Sequence, residues 1–257
     1  MPSRNVTRGV SRGITRSSAL SSAPWEDQMP VFNFTDGIQV ETNYASIEMD
    51  KHGVLKMDIQ PRILGGVNQW VVQTPAGAIQ LRLDGTTDVL SWKVRNATLQ
   101  TTAATLLEDI NYHIEIEWYP FATNADAYLT VNGDTYVITT TGDDTTDREL
   151  WLGGPSTASG ANCFGGIIQN VEYWKDGVLS AAWPLHDPSW TLGTDPNVFS
   201  ETVNGSVAAL YAGGVSVTNL DNYLISYVNI AEFTPLNFLA DESGNRIVDD
   251  SAQYITA

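Results

Sequence analysis

The segment FGGIIQNVEYWKDGVL (164–179) gives the clearest indication of how this chain folds. Its glycine pair at 165–166 allows a tight backbone bend, because glycine has no Cβ that could clash. Its Asp-Gly dipeptide at 176–177 tolerates the positive φ angles of a tight hairpin turn. By the two-residue period of strands, a strand between them would place three residues on one side: Ile167, Val171 and Tyr173. The segment therefore predicts a bend, a strand and a hairpin in succession.

The same alternation of apolar and polar residues appears on the N-terminal side of this segment. The run YHIEIEW (112–118) has the pattern of a half-buried strand. Its apolar face holds Ile114, Ile116 and Trp118, and its polar face holds His113, Glu115 and Glu117. The run AYLTVNGDTYVIT (127–139) has two β-rich halves joined at Asn-Gly, which predicts a second hairpin.

Further runs of strand length occur elsewhere, with turn residues between them. They are FNFTDGIQV (32–40), GVLKMDIQPRI (53–63), QWVVQT (69–74), AIQLRLDG (78–85), DVLSWKV (88–94) and RELWLGG (148–154). The run TTAATLLEDI (101–110) predicts one helical turn. Because no helical period is sustained, we expect an all-β chain folded as a two-sheet antiparallel sandwich.

The order of these elements resembles a laminin-G-like, concanavalin-A-like jelly roll over residues 30–187. The run LWLGG (150–154) and the segment 164–179 carry the resemblance best, since in that family a glycine-rich piece leads into a strand and a hairpin. The resemblance implies a jelly-roll sandwich of two antiparallel sheets. Such folds serve lectins, glycan-binding modules, glycoside hydrolases and structural domains, so the fold does not decide the function.

Charge divides the chain of 257 residues, whose formal net charge is −17. Residues 1–24 hold four arginines and no acidic residue, whereas the remainder has nine Lys and Arg against thirty Asp and Glu, or −21. Such an acidic body repels nucleic acid and anionic membranes, which excludes both as main partners. We expect an extended basic N-terminal arm (1–24), a laminin-G-like sandwich (25–187), and C-terminal strands (188–257) that complete the sandwich or form a contact extension.

The arm contains the basic repeat RNVTRGVSRGITR (4–16). In an extended conformation its large side chains fall on one side: Arg4, Val6, Arg8, Val10, Arg12, Ile14 and Arg16. The arm has no core of its own, so we expect it to order against another protein, for example as a strand added to a sheet edge. The alternatives are a disordered basic tail and a transit peptide.

Catalysis of glycoside hydrolysis needs two suitably placed carboxylates. The run EMDKHG (48–53) supplies Glu48 and Asp50, but Gly53 stands where the glucanases of this fold have a second glutamate. Glu115 and Glu117 share a strand face about 7 Å apart, which is a better geometry, although a solvated strand face explains them equally well. We therefore predict no enzymatic activity.

Other ligands are suggested by only a few residues. Calcium is the one possible cofactor, and an acidic loop offers three oxygen donors for it: Asp143, Asp144 and Asp147. Trp25 and Trp190 lie in loop-like segments and are candidates for contact with a glycan or a partner. The single cysteine, Cys163, cannot form an internal disulfide, and we expect it to be a small packed thiol.

The combination of basic arm and acidic jelly roll suits a component of a larger assembly. The resemblance implies a structural protein of a virion, since compact laminin-G-like domains occur in bacteriophage capsid decorations, head fibres and tail adhesins. The arm would dock on other virion proteins, with the protein in many copies or as a homo-oligomer. The sandwich would face outward and could bind cell-surface glycans, and its acidic surface would keep a crowded particle soluble. The alternatives are a free glycan-binding module or glycoside hydrolase of this fold, and a calcium-dependent lectin.

Overall fold

A computed structural model gives the architecture of the chain. It describes residues 28–32, 38–42, 47–140, 142, 149–157, 161–183, 185, 199–200, 202–203, 207–212, 215–216 and 225–229. For residues 28–32, 38, 199–200, 207–212, 215–216 and 225–229, the description extends to the backbone only. Within these residues, no helix is long and apolar enough to cross a membrane.

Almost all of the regular structure in the described residues is extended. The strands are β1 (Gln28–Phe32), β2 (Ile38–Glu41), β3 (Gly53–Pro61), β4 (Gln69–Gln73), β5 (Ile79–Leu83), β6 (Val89–Val94), β7 (Gln100–Thr105), β8 (Tyr112–Trp118), β9 (Asp126–Val131), β10 (Asp134–Thr139), β11 (Trp151–Leu152), β12 (Gly166–Lys175), β13 (Val178–Trp183), β14 (Phe199–Ser200), β15 (Val207–Ala212), β16 (Val215–Ser216) and β17 (Ile225–Asn229). The described helical structure is one 3₁₀ turn, Pro75–Gly77.

The strands form two large antiparallel sheets and one small one. A six-stranded sheet has the order β10-β9-β8-β3-β12-β13. The larger sheet has the order β14-β15-β2-β11-β4-β5-β6-β7, with β16 paired to β15. In addition, β1 pairs with β17 and lies beside β12. The predicted all-β, two-sheet antiparallel jelly-roll sandwich is confirmed.

The core lies between the two large sheets, and tryptophan fills much of it. Trp92, Trp118 and Trp183 are among the largest fully buried side chains. The Trp118 ring stacks on that of Tyr173, with centroids 6.0 Å apart, so β8 and β12 are locked together through the core. The predicted alternation in β8 is confirmed, because residues 112, 114, 116 and 118 are buried and those between them are half-buried.

The two predicted hairpins are also confirmed. At the β9–β10 turn, Asn132 and Gly133 have φ angles of 47° and 87°. At the β12–β13 turn, Asp176 and Gly177 have φ angles of 49° and 78°. Positive φ at both central residues is the geometry whose twist matches that of the flanking strands.

The helical turn predicted within 101–110 is wrong. Residues Gln100–Thr105 form β7, which pairs with β6 at the end of the larger sheet. Three threonines stiffen this run at χ1 and favour a strand, and pairing with β6 satisfies the backbone on one side.

The predicted common face of Ile167, Val171 and Tyr173 is also wrong, because a bulge interrupts β12. The pairing with β3 shifts register between Gln169 and Glu172. Ile168 therefore shares the core side with Val171 and Tyr173, while Ile167 lies on the opposite side. The extra residue of a bulge reverses the two-residue alternation, and Asn170 supplies the positive φ of 50° at that point.

Candidate functional site

The outer face of the six-stranded sheet carries the richest set of chemical groups among the described side chains. Strand pairing places Lys56 of β3 between Glu115 of β8 and Glu172 of β12. Two residues along β3, Val54 lies between Glu117 of β8 and Trp174 of β12. Alternation along β3 directs residues 54 and 56 away from the core, and the pairing of β3 with β8 and β12 completes the two rows.

A shallow cavity of about 300 Å³ opens between these rows. Its lining consists of Val54, Lys56, Glu115, Glu117, Trp174 and Gly177. The cavity combines an aromatic ring, an ammonium group and two carboxylates, with the β12–β13 turn at its edge.

Glu115 is held in the ionised state. Its Oε1 accepts hydrogen bonds from Lys56 Nζ at 2.8 Å and from His113 Nε2 at 3.2 Å. The hydrogen bond from His113, aided by that from Lys56, lowers the pKa of Glu115 to about 2 against the cost of burial. This carboxyl group is therefore an acceptor at neutral pH and has no proton to give.

His113 connects Glu115 to a second acidic group. Its Nδ1 lies 2.7 Å from Oδ1 of Asp58, and Asn170 Nδ2 donates to the other oxygen of Asp58 at 2.7 Å. The hydrogen bonds to Asp58 and then to Glu115 raise the pKa of His113 to about 9. At neutral pH the imidazole is protonated and donates from both nitrogens.

Glu117 is held by an aromatic pair. His52 Nε2 lies 2.8 Å from Glu117 Oε1, and the Tyr119 hydroxyl donates to the same oxygen at 2.7 Å. The rings of His52 and Tyr119 stack with centroids 4.4 Å apart. The hydrogen bond to the carboxylate raises the pKa of Tyr119. Buried Arg95 fixes this corner, since its Nη2 donates to the carbonyls of Met49 and Tyr119.

Trp174 provides the aromatic wall. Its Nε1 donates to Glu172 Oε2 at 2.8 Å, which limits the rotation of the ring. Lys56 Nζ lies 5.9 Å from the ring centroid, within the range of a cation–π contact. The hydrogen bond to Glu172 thus orients a ring that lines the cavity.

Both cavity carboxylates keep one oxygen available. The hydrogen bonds to Glu115 and to Glu117 all reach Oε1. Within the described part of the chain, neither Oε2 has a protein partner. Each side chain is about one-third exposed, at 33% and 34%. The cavity thus presents two anionic acceptors beside a tryptophan ring.

The other carboxylates considered for catalysis are not arranged as a pair. Glu48 Oε1 binds Lys175 Nζ at 2.7 Å, whereas Asp50 pairs with Lys51. A Cβ at Gly53 would lie 2.1 Å from the Trp118 ring, so a glutamate cannot occupy this position without displacing the core.

Cys163 lies away from the cavity. It bridges Trp70 of the larger sheet through the backbone, and its thiol is half-buried. Burial raises its pKa to about 11, so the thiolate needed for nucleophilic attack is scarce at neutral pH.

The residues predicted for other sites lie outside the described residues, so these hypotheses stay predictions. They are the arm residues Arg4, Val6, Arg8, Val10, Arg12, Ile14 and Arg16, the tryptophans Trp25 and Trp190, and the calcium candidates Asp143, Asp144 and Asp147. Among the side chains that are described, no three His, Cys, Asp or Glu residues cluster as metal ligands.

Sequence reasoning found Glu115 and Glu117 but missed their neighbours. Lys56 shares the outer face of GVLKMDIQ with Asp58, and Trp174 follows Tyr173, which was predicted to share one side of its strand with Val171. The alternation in these strands could have identified both as outward-facing. It could not have shown which strands are adjacent.

No protein-family model matches the sequence, and no curated protein matches it. Among solved structures, the chain is similar to a protein of Bacteroides ovatus ATCC 8483 that has been provisionally assigned as carbohydrate-binding. The identity is 13% and the TM-score 0.52, with 74% of this chain covered. The match spans 61% of the Bacteroides protein, and at this identity it shows a shared fold.

Two further structures align less closely. A heptameric SAP-like pentraxin from Limulus polyphemus has 11% identity and a TM-score of 0.45, covering 58% of this chain and 76% of its own. Domains LG4-5 of the mouse laminin alpha1 chain have 15% identity and a TM-score of 0.45, covering 72% and 50%.

Proposed function

We propose that this protein is a lectin-like carbohydrate-binding domain and that the cavity on the outer face of the six-stranded sheet is its glycan site. The observation that carries the proposal is the Trp174 ring beside two carboxylates, Glu115 and Glu117, that each retain an acceptor oxygen. A sugar has an apolar ring face that packs on an aromatic ring, and hydroxyl groups that donate to carboxylates. The provisional assignment of the Bacteroides ovatus protein supports the same class of ligand.

Binding explains the carboxylates better than hydrolysis does. A glycosidase needs one carboxyl group protonated at its working pH and a second one that is ionised. Glu115 has a pKa of about 2 and is fixed by two cationic groups, so it does not suit the role of general acid. The assay is release of reducing sugar from the bound glycan. Release by the wild type would overturn the assignment as a binding protein without hydrolase activity. Loss of that release in Glu115→Gln would assign hydrolysis to this carboxylate pair.

The test of the site is a glycan array followed by titration of the best-bound sugar. Trp174→Ala should weaken binding at least about fivefold, because truncation of an aromatic anchor residue costs more than about 1 kcal/mol. Trp70→Ala is the matched control, since Trp70 lies on the larger sheet and also faces a cation, with the Arg82 guanidinium 5.5 Å from its ring. Equal binding by both variants and the wild type would place the glycan site elsewhere.

A virion role is a second candidate, and the sequence of residues 1–24 favours it. Four arginines without an acidic residue precede a body of −21, which suits docking on an acidic neighbour. Co-sedimentation with candidate particles, using the full chain and a form lacking residues 1–24, tests this role. Sedimentation of only the full chain supports an anchoring arm, and equal sedimentation of both forms contradicts it.

The calcium hypothesis is tested on the same array. If Asp143, Asp144 and Asp147 hold an ion that glycan binding needs, a chelator should remove the array signal and added calcium should restore it. A signal that is unchanged by the chelator contradicts a calcium-dependent lectin.

A further inference from the structure

The charge of the cavity bears on which glycans it can accept, if it is the glycan site proposed above. Among the residues that the structure describes, Lys56 is the one cationic side chain that lines the cavity, and its ammonium group already binds Glu115. A ligand carboxylate or sulfate would have to compete with Glu115 for that group. The cavity therefore offers an acidic ligand little new positive charge.

The negative groups of the cavity are unevenly compensated. Two cationic side chains, Lys56 and His113, face two carboxylates, Glu115 and Asp58, so the charges of these four groups balance. Glu117 instead receives the neutral hydroxyl of Tyr119 and the ring nitrogen of His52, and Glu172 receives the indole N–H of Trp174. The surplus of negative charge thus lies at Glu117 and Glu172.

The hydrogen-bonding capacity of the cavity points in the same direction. The two free Oε2 atoms of Glu115 and Glu117 can only accept, because both groups are carboxylates. Hydroxyl and ammonium groups of a sugar can donate to them, whereas a ligand carboxylate would face two like charges without a proton between them. The formal net charge of −17 adds a long-range repulsion of anions.

We infer that this cavity selects neutral sugars and sugars with a free, positively charged amino group, and that it rejects sugars bearing carboxylate or sulfate groups. Selection arises from Glu117 and the free oxygen of Glu115, while Trp174 contributes contact area to every class alike. A sugar with a free amino group should bind more tightly than its N-acetylated form, because acetylation removes the positive charge.

The experiment is an array of matched glycans, each parent sugar printed beside its sialylated, sulfated, uronic-acid and free-amine relatives. The probes are the labelled wild-type chain, Glu117→Gln and Glu108→Gln. Glutamine at position 117 keeps an acceptor oxygen for Tyr119 but removes the charge. Glu108 lies on the loop between β7 and β8, outside the cavity lining, and is the control for the loss of one negative charge.

We expect the wild type and the Glu108 variant to bind the acidic sugars at least about fivefold more weakly than the corresponding parent sugars. In Glu117→Gln, this difference in affinity should be smaller. An acidic relative bound as well as its parent by the wild type would overturn the inference while leaving a glycan-binding site intact. A difference between parent and acidic sugars that is undiminished in Glu117→Gln would also overturn it. If the wild type binds no sugar of any class, the proposed function itself fails, and the inference fails with it.

Discussion

Gln169 is fully buried, yet neither polar atom of its side chain has a hydrogen-bond partner within the described structure. A buried amide without partners loses its hydration and gains nothing in return. Gln169→Met keeps the length of the side chain and removes both polar atoms. We expect the substitution to raise the free energy of unfolding by about 1 kcal/mol, measured by urea denaturation.

Gln69 provides the matched control for this prediction. It is also buried, but its Nε2 donates to the carbonyl of Ile63 and its Oε1 accepts from the amide of Gly165 at 2.7 Å. Gln69→Met should lower the free energy of unfolding by about 1–3 kcal/mol, since it leaves two backbone groups without partners. Equal destabilisation by both substitutions would show that Gln169 has partners in solution.

His113 makes stability depend on pH. Its pKa rises from 6.5 to about 9 on folding, so its stabilising contribution is complete below pH 6.5 and is lost as pH rises through 9. The pKa of Glu115 falls from 4.5 to about 2, so its contribution is complete above pH 4.5 and is lost as pH falls through 2. Both are therefore fully present between pH 4.5 and 6.5.

The measurement is urea denaturation of the wild type and of His113→Gln at pH 6 and at pH 9.5. We expect the wild type to lose more stability than the variant between these values, because glutamine does not titrate. Parallel losses in the two proteins would assign the pH dependence to other groups.

At the scale of the element, the bulge in β12 rests on Asn170. Its φ of 50° is unfavourable for residues other than glycine, asparagine and aspartate, and its amide binds Asp58. Asn170→Gly removes the hydrogen bond to Asp58 and leaves the positive φ unstrained. Asn170→Ala removes the same hydrogen bond and also forces alanine into the unfavourable positive φ. We expect the alanine variant to be less stable than the glycine variant by about 1 kcal/mol in urea denaturation. Equal stability would mean that the bulge shifts without cost.

Strands whose pattern is local could be predicted from the sequence. In β8, the alternation of apolar and polar residues predicts which face of the sheet each side chain points to. The two hairpin turns are predicted because Asn-Gly and Asp-Gly tolerate positive φ angles. The bulge could not be predicted, because Asn170 reverses the alternation through pairing with a strand more than a hundred residues away. The prediction of a helical turn in place of β7 was wrong because pairing with β6, rather than the weak pattern of its own residues, makes this segment a strand.

The candidate site could be predicted only in part for the same reason. Glu115 and Glu117 lie on one strand, so their common face is a local property. Lys56 and Trp174 reach the cavity from β3 and β12, and only the strand order of the sheet makes them neighbours of β8.

At the scale of the whole molecule, a formal net charge of −17 opposes compactness. Raising the salt concentration shortens the range of this repulsion, from about 10 Å at 0.1 M to about 3 Å at 1 M. We expect the unfolding temperature at pH 7 to rise by about 3 °C over that range of sodium chloride, measured by calorimetry. Near pH 4.3, the isoelectric point calculated from the sequence, the rise should vanish, and an undiminished rise there would assign the effect to hydration instead.

The shielded thiol of Cys163 has a practical consequence for fluorescence work. Because its pKa is about 11, maleimide reagents should modify it slowly at neutral pH. A second cysteine at Val178, which is 68% exposed and adjoins Gly177 at the rim of the cavity, would be modified first. A dye can thus be attached beside the cavity with the native cysteine left in place, and its emission can report the arrival of a ligand.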